Sequence, residues 1–190
     1  TLTLTLTLTL TLTLTLSQVR GKPVVTRVTW LAVCVTPDSQ HIVTAEECKC
    51  HVWSFADGSL IRTLDAKSCQ DWHAAFRDLT SMCLSPNGEY IVTAAKDRSA
   101  RVWRLASGEH VCTMEGGHAD HVQAVCCTPN ADKVCTASRD GTVQVWRLTD
   151  GEQLRTCEGH RAEVTSICAS ADSQCFVTTS KDQTVRVWLL

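Results

Sequence analysis

A Val-Trp pair recurs four times along this chain of 190 residues, and its spacing constrains the fold more than any other feature. The four tryptophans, Trp53, Trp103, Trp146 and Trp188, are separated by 50, 43 and 42 residues. The sequence before each pair also repeats, as TPDSQHIVTAEECKCHVW, SPNGEYIVTAAKDRSARVW, TPNADKVCTASRDGTVQVW and SADSQCFVTTSKDQTVRVW. Self-similarity with a period of about forty residues indicates an array of equivalent structural units.

Each unit contains four short runs of β-branched or alternating apolar residues, separated by turn residues such as Asn87-Gly88, Asp140-Gly141 and Asp150-Gly151. No stretch has a convincing helical period. Four strands in about forty residues are typical of one blade of a β-propeller. The sequence therefore predicts an all-β chain. Its repeats are placed at about 24–64, 73–114, 115–157 and 158–190.

Further residues recur at fixed positions relative to the tryptophans. Gly-His pairs stand at Gly117-His118 and Gly159-His160, and an aspartate stands in the turn at Asp97, Asp140 and Asp182. Through these residues, the segment from about residue 18 to 190 resembles the WD-repeat β-propeller family. The resemblance implies a partial propeller of about four blades and, since members most often have seven, a fragment of a larger propeller. The Trp-Asp pair of the family is here Trp-Ser, Trp-Arg, Trp-Arg and Trp-Leu.

The resemblance also implies a buried hydrogen-bonded set in each repeat, made of a histidine, a serine or threonine, an aspartate and the tryptophan. The complete sets would be His118, Thr136, Asp140 and Trp146, then His160, Thr178, Asp182 and Trp188; the partial sets would be Thr93, Asp97 and Trp103, then Thr44 and Trp53. The chemistry is consistent, because a buried indole N–H needs an acceptor and a threonine hydroxyl can both accept and donate.

A histidine, an aspartate and a threonine together also look like part of a nucleophilic triad. The set recurs once per repeat with its tryptophan, so we interpret it as structural and expect no catalytic residue and no cofactor. Ala74-Ala75 and Val25-Thr26 stand where the N-terminal repeats would carry Gly-His. Because an incomplete polar network costs stability, we expect those two blades to be less rigid than the last two.

Twelve cysteines are spread through the strand-like runs without a Cys-x-x-Cys pair. This distribution favours reduced, mostly buried thiols and an intracellular location, cytoplasmic or nuclear. Four cysteines share one position of the aligned repeats: Cys34, Cys83, Cys126 and Cys168. We predict that they are small, buried packing residues. A metal site at His118, His121 and Cys126 is the alternative, but the role of His118 in the buried set disfavours it. No metal is predicted.

The partner predictions follow from charge and from the family resemblance. The net charge of −2 gives no basic footprint for nucleic acid, and no apolar run is long enough to cross a membrane. The resemblance implies a non-enzymatic scaffold that binds protein or peptide partners on its rim. Lys96, Arg139 and Lys181 each precede the turn aspartate and predict a preference for acidic or phosphorylated segments, with solvated turn charge as the alternative. Trp72 is a second candidate contact, with local packing as the alternative.

Residues 1–16 are eight identical Thr-Leu pairs, whereas the repeats have diverged from one another. Because the eight pairs have not diverged from one another, we interpret them as the product of a recent expansion of repeated DNA. The codons ACC-CTA encode Thr-Leu, and their repetition is a permutation of a telomere-type repeat. We therefore interpret 1–16 as lying outside the fold and 17–190 as the propeller segment. The alternative is an authentic Thr-rich strand or stalk.

The last repeat stops after its third predicted strand, which predicts an unclosed fan with exposed edges and poor stability in isolation. Two further hypotheses on function remain open. The segment is a sensor or regulatory propeller of a larger signalling ATPase or enzyme, or it is a truncated subtelomeric gene remnant without function.

Overall fold

The computed structural model describes residues 16–19, 22–24, 32–46, 49–64 and 79–190. Within these ranges the regular structure consists of strands. They are β1 (Leu16–Val19), β2 (Lys22–Val24), β3 (Ala32–Val35), β4 (His41–Glu46), β5 (Lys49–Ser54), β6 (Leu60–Leu64), β7 (Leu79–Leu84), β8 (Tyr90–Ala95), β9 (Ala100–Arg104), β10 (His110–Met114), β11 (Val122–Cys127), β12 (Lys133–Ser138), β13 (Val143–Arg147), β14 (Gln153–Cys157), β15 (Val164–Ala169), β16 (Cys175–Ser180) and β17 (Val185–Leu189). Membrane-spanning helices are absent from this part of the chain.

The strands form consecutive antiparallel meanders. The first three sheets have four strands each, β3–β4–β5–β6, β7–β8–β9–β10 and β11–β12–β13–β14, and the fourth has β15–β16–β17. A separate two-stranded sheet pairs β1 with β2. The all-β, partial-propeller fold predicted from the repeats is confirmed. The Thr-Leu run up to residue 15, Trp72 and the pairs Val25-Thr26 and Ala74-Ala75 lie outside the described residues.

A side-chain hydrogen bond closes the turn between the first and second strands of each of the four sheets. The hydroxyl of Thr36 accepts the backbone N–H of His41 at 2.9 Å. Ser85, Thr128 and Ser170 make the equivalent bond in the other three sheets. Hydroxyl side chains bond readily to backbone groups in turns. The serine or threonine that opens each aligned segment therefore fixes the start of each hairpin.

Neighbouring sheets pack face to face because their first strands, β3, β7, β11 and β15, lie side by side. An apolar core fills each of the three spaces between these sheets. Trp103 and Trp146 are buried in the first two cores, and Trp188 packs against the third, where it stacks on Phe176. Each of these tryptophans thereby joins its own sheet to the preceding one.

The two ends of this stack of sheets present apolar side chains to solvent. Val185, Val187 and Leu189 alternate along β17 and are 65%, 68% and 74% exposed. On the first sheet, Val33 and Val35 are also exposed. Alternate residues of a strand share one face, so these side chains form contiguous apolar surfaces that favour association.

One prediction about the cysteine column needs correction. Cys168 is exposed, and Cys34, Cys83 and Cys126 are half-buried rather than buried. Cys168 lies on β15, in the sheet that ends the described stack, so no described fifth sheet covers it.

We expect the double variant Val185→Thr/Val187→Thr to reduce self-association of the 190-residue polypeptide. Threonine keeps the β-branched shape that suits a strand while removing apolar surface. Static light scattering across a concentration series measures the effect. Val143→Thr is the matched control, because Val143 is fully buried and its substitution should lower stability without reducing association. Unchanged scattering in the double variant would contradict the prediction.

Candidate functional site

A threonine–tryptophan hydrogen bond recurs in each of the four large sheets. The indole N–H on the third strand donates to a threonine hydroxyl on the second strand. The Nε1–Oγ1 distances are 2.8 Å for Trp53–Thr44, 3.1 Å for Trp103–Thr93, and 2.8 Å for both Trp146–Thr136 and Trp188–Thr178. The bond allows a large indole ring to be buried without leaving its N–H unpaired.

In the third sheet this bond extends into a network. Oγ1 of Thr136 lies 2.7 Å from Nε2 of His118, and Nδ1 of His118 lies 3.3 Å from Oδ2 of Asp140. The same carboxylate oxygen accepts the backbone N–H of Ala119 at 2.8 Å. A neutral imidazole with its proton on Nδ1 satisfies all of these groups, because Thr136 then donates to Nε2 and Nδ1 donates to Asp140.

The fourth sheet repeats this geometry. Nε2 of His160 lies 2.8 Å from Oγ1 of Thr178, and Nδ1 lies 2.9 Å from Oδ2 of Asp182. The backbone N–H of Arg161 donates to the same carboxylate oxygen at 3.0 Å. The structure thus brings together the four residues of each complete set named from the sequence.

Two residues of these networks were not anticipated from the sequence. The hydroxyl of Thr142 donates to Oδ1 of Asp140 at 2.7 Å, and the hydroxyl of Thr184 donates to Oδ1 of Asp182 at 2.6 Å. Each threonine follows its aspartate by two residues. The available signal was the recurrence of Asp-x-Thr or Asp-x-Ser in the aligned turns, at 97–99, 140–142 and 182–184.

The partial sets use other partners. In the second sheet, Oδ2 of Asp97 lies 2.8 Å from a guanidinium nitrogen of Arg101, and Oδ1 accepts the hydroxyl of Ser99 at 2.6 Å. In the first sheet, Nδ1 of His51 lies 3.0 Å from Oγ1 of Thr63 on the outer strand. The aspartate of the second sheet therefore pairs with an arginine from its own third strand.

Burial and hydrogen bonding set the charge states in these networks. Burial lowers the pKa of His118 and outweighs the opposing effect of Asp140. Burial would raise the pKa of Asp140, but hydrogen bonds from Thr142 and Ala119 outweigh it, and the pKa is lowered. The pKa of Asp182 is also lowered, chiefly by the Thr184 hydroxyl. In the third sheet, a neutral His118 beside an ionised Asp140 is the state in which the polar atoms of the network are paired.

The threonine hydroxyl groups of the two complete sets are inaccessible to solvent. Thr136 is 0% exposed, and its oxygen is already occupied by Trp146 and His118. No substrate carbonyl could approach a nucleophile in that position. Among the residues that the structure describes, no three metal-ligating side chains are grouped as a metal site.

Charged side chains from neighbouring sheets meet at one end of the stack. The backbone N–H of Arg139 donates to the carbonyl of His121, and that of Lys181 donates to the carbonyl of Glu163, both at 2.9 Å. These bonds hold the turns between second and third strands against the segments that lead into β11 and β15. We call this end of the stack, with Arg139, Lys181 and Glu163, the charged rim.

One carboxylate on the charged rim faces two cations. Oε2 of Glu163 lies 2.6 Å from Nζ of Lys181 and 3.8 Å from Nε of Arg139, on the neighbouring sheet. Arg139 also lies 4.0 Å from Asp120. The Glu163 side chain is 15% exposed, whereas those of Arg139 and Lys181 are 53% and 62% exposed. Lys96, in the equivalent turn of the second sheet, is exposed as well.

We expect Thr136→Val to lower the free energy of unfolding by about 2–4 kcal/mol, because it leaves the Trp146 N–H and the His118 ring nitrogen without their shared partner. Thr93→Val removes one such bond and should cost about 1–2 kcal/mol. Urea denaturation followed by tryptophan fluorescence measures both. An equal or smaller loss for Thr136→Val would contradict the prediction.

Stability should fall as the pH falls below about 6.5. The unfolded chain binds a proton at His118 near its ordinary pKa, whereas the folded chain binds it only at lower pH. Asp140, whose pKa is lowered, adds a further loss below about pH 4. Urea midpoints between pH 7.5 and 5 test this, with His118→Gln as the comparison. Identical pH slopes for the two proteins would contradict the role of His118.

Solved structures with a similar fold include proteins of natural and designed origin. The chain is similar to the crystal structure of RRP9 WD40 repeats, with 24% identity, a TM-score of 0.76, and coverage of 87% of this chain and 49% of that one. The structure of U3-55K is 23% identical, with a TM-score of 0.75, and the match covers 87% of this chain and 50% of that one. The crystal structure of the computationally designed Ika4 protein is 25% identical, with a TM-score of 0.72, and the match covers 87% of this chain and 93% of that one. The chain thus spans about half the length of the RRP9 and U3-55K chains.

A sequence search of curated proteins found no match. The profile of the family described as "WD domain, G-beta repeat" matches residues 58–104, 108–147 and 151–188. Each matched segment begins beside the outer strand of one sheet and ends at or beside the tryptophan of the next sheet. These three matches cover more than half of the sequence, and the chain therefore belongs to the WD40 repeat family.

Proposed function

We propose that this chain is a non-enzymatic interaction scaffold that binds an acidic or phosphorylated segment of a partner protein on its charged rim. The WD40 fold is typical of protein-interaction scaffolds. The observation that carries the choice of partner is the shared carboxylate. Arg139 and Lys181, from neighbouring sheets, converge on Glu163 while most of their own surface stays exposed.

The charges of the rim support a partner that brings its own anion. Glu163 holds the two cations close together but is itself largely covered. A phosphate offers three strong acceptor oxygens, so it can bond to Arg139 and Lys181 together from the solvent side. Lys96 would extend this surface onto the second sheet.

Two further parts of the proposal concern residues and location. Trp72 is proposed as a second contact with the partner, on the segment between the first and second sheets. An intracellular location is proposed because the twelve cysteines are spread along the chain without a Cys-x-x-Cys pair. Proteins of reducing compartments keep most of their cysteines as thiols.

The proposal predicts opposite effects for two substitutions on the rim. Glu163→Gln should strengthen the binding of phosphoserine peptides, because it removes the competing anion. Arg139→Glu/Lys181→Glu should weaken it about tenfold or more, since each exposed charge contact contributes up to about 1 kcal/mol. A phosphoserine peptide library, with each peptide also present unphosphorylated, provides the probe, and fluorescence anisotropy provides the affinities.

Arg147→Glu is the matched control. Arg147 is an exposed arginine that pairs with Asp150. It is the last residue of β13 and so lies at the opposite end of the sheet from Arg139, which precedes that strand. Reversing its charge should leave peptide affinity unchanged. Full binding by Arg139→Glu/Lys181→Glu, or an equal loss with Arg147→Glu, would refute the assignment to the charged rim.

A further inference from the structure

We propose that Cys83 and Cys127 form an oxidation site at which a peroxide converts two thiols into a disulfide linking the second sheet to the third. This inference is independent of the proposed function. It gives these two thiols a chemical role in addition to packing, and it rests on the geometry of β7 and β11.

The two sulfurs already lie in contact across the boundary between sheets. Cys83 is on β7 and Cys127 on β11, the first strands of neighbouring sheets, and these strands lie side by side. The Sγ–Sγ distance is 3.4 Å, between residues 44 positions apart in sequence. A disulfide needs sulfurs at about 2.05 Å, so small side-chain rotations could close the gap.

The surroundings give a small oxidant access to this pair. Both cysteines are half-buried and pack at the margin of the apolar core between the second and third sheets. Their strand neighbours in register, Val92 and Val134, are each 0% exposed. The sulfurs therefore lie between a dry core and the surface.

Other thiols in the described ranges are less well placed. Cys126 and Cys135 are opposite each other on β11 and β12, but Cys135 is fully buried. The Cys34 thiol points to the carbonyl of Met82 at 3.8 Å. Cys168 is exposed and provides a control for simple surface reactivity.

The reaction balances with hydrogen peroxide as the oxidant. One thiol, as its thiolate, attacks a peroxide oxygen, the O–O bond breaks, and a sulfenic acid and hydroxide form. The second sulfur then attacks the sulfenic sulfur and displaces hydroxide, which leaves as water with the released proton. In sum, two thiols and one peroxide give one disulfide and two waters.

The protonation state sets the rate of this reaction. The hydrogen bond with Cys127, together with burial, raises the pKa of Cys83 well above the ordinary value. The thiolate is the reactive form. Oxidation should therefore be slow at neutral pH and accelerate as the pH rises. Slow formation is compatible with a bond that persists once made.

The test is oxidation of the folded 190-residue chain with hydrogen peroxide, followed by iodoacetamide and non-reducing peptide mapping by mass spectrometry. The expected product is a peptide pair joined through Cys83 and Cys127, with two hydrogens lost. The melting temperature should rise by about 10 °C, since the bond closes a loop of roughly 44 residues. Reduction with dithiothreitol should reverse both changes.

Two variants make the outcome specific. Cys127→Ala should abolish the linked peptide and the shift in melting temperature; Ala169 occupies the equivalent strand position in the fourth sheet, so alanine suits the site. Cys168→Ala should leave both changes intact. Alkylation of Cys83 and Cys127 after oxidation, a linkage confined to Cys126 and Cys135, or linkage that requires urea would each overturn the proposal.

Discussion

In each of the four large sheets, a threonine hydroxyl on the second strand accepts the indole N–H of the third strand, and the packing between sheets depends on this bond. Burying an unpaired donor costs about 1–3 kcal/mol. With the acceptor supplied inside its own sheet, the ring can fill the space toward the preceding sheet. Trp146, at 2% exposure, is part of the core that its sheet shares with the second sheet.

The same bond explains why the rest of each network can vary. In the third and fourth sheets, a histidine bridges the threonine hydroxyl and the aspartate carboxylate through its two ring nitrogens. In the second sheet, the aspartate is instead neutralised by Arg101. Both arrangements hold the turn aspartate in place, by hydrogen bonds in the third and fourth sheets and by an ion pair in the second. The threonine–tryptophan bond is common to all of them, while the partner of the aspartate differs.

The fold could be predicted from the sequence because its determinants repeat. The Val-Trp spacing, the strand-like runs and the turn residues predicted the sheets. The His-Thr-Asp-Trp residues lie together in the third and fourth sheets. The Thr142 and Thr184 contacts required knowledge of the turn geometry. The pairing of Glu163 with Arg139 could not be predicted, because these residues come from different sheets and meet only after the sheets pack.

The cysteines show the same limit of pattern-based prediction. Alignment of the repeats shows which cysteines occupy equivalent strand positions. It does not show which sheets are covered by another sheet on both faces, and that coverage determines the burial of each thiol. Cys168 is exposed and Cys83 is half-buried for that reason. Trp72 lies outside the described residues, and its role stays a prediction.

The matched repeats are offset from the sheets by one strand, yet the loss of one matched repeat would still change the array by one whole sheet. Residues 108–147 include β10 of the second sheet and β11–β13 of the third. If that segment were excised, β9 would be followed by β14, an outer strand of the same kind as the one removed. Such a deletion shortens the array by one whole sheet without leaving a fragment of one. Duplication works in the same way, so WD40 arrays can change length in single steps while the sheets on either side stay complete.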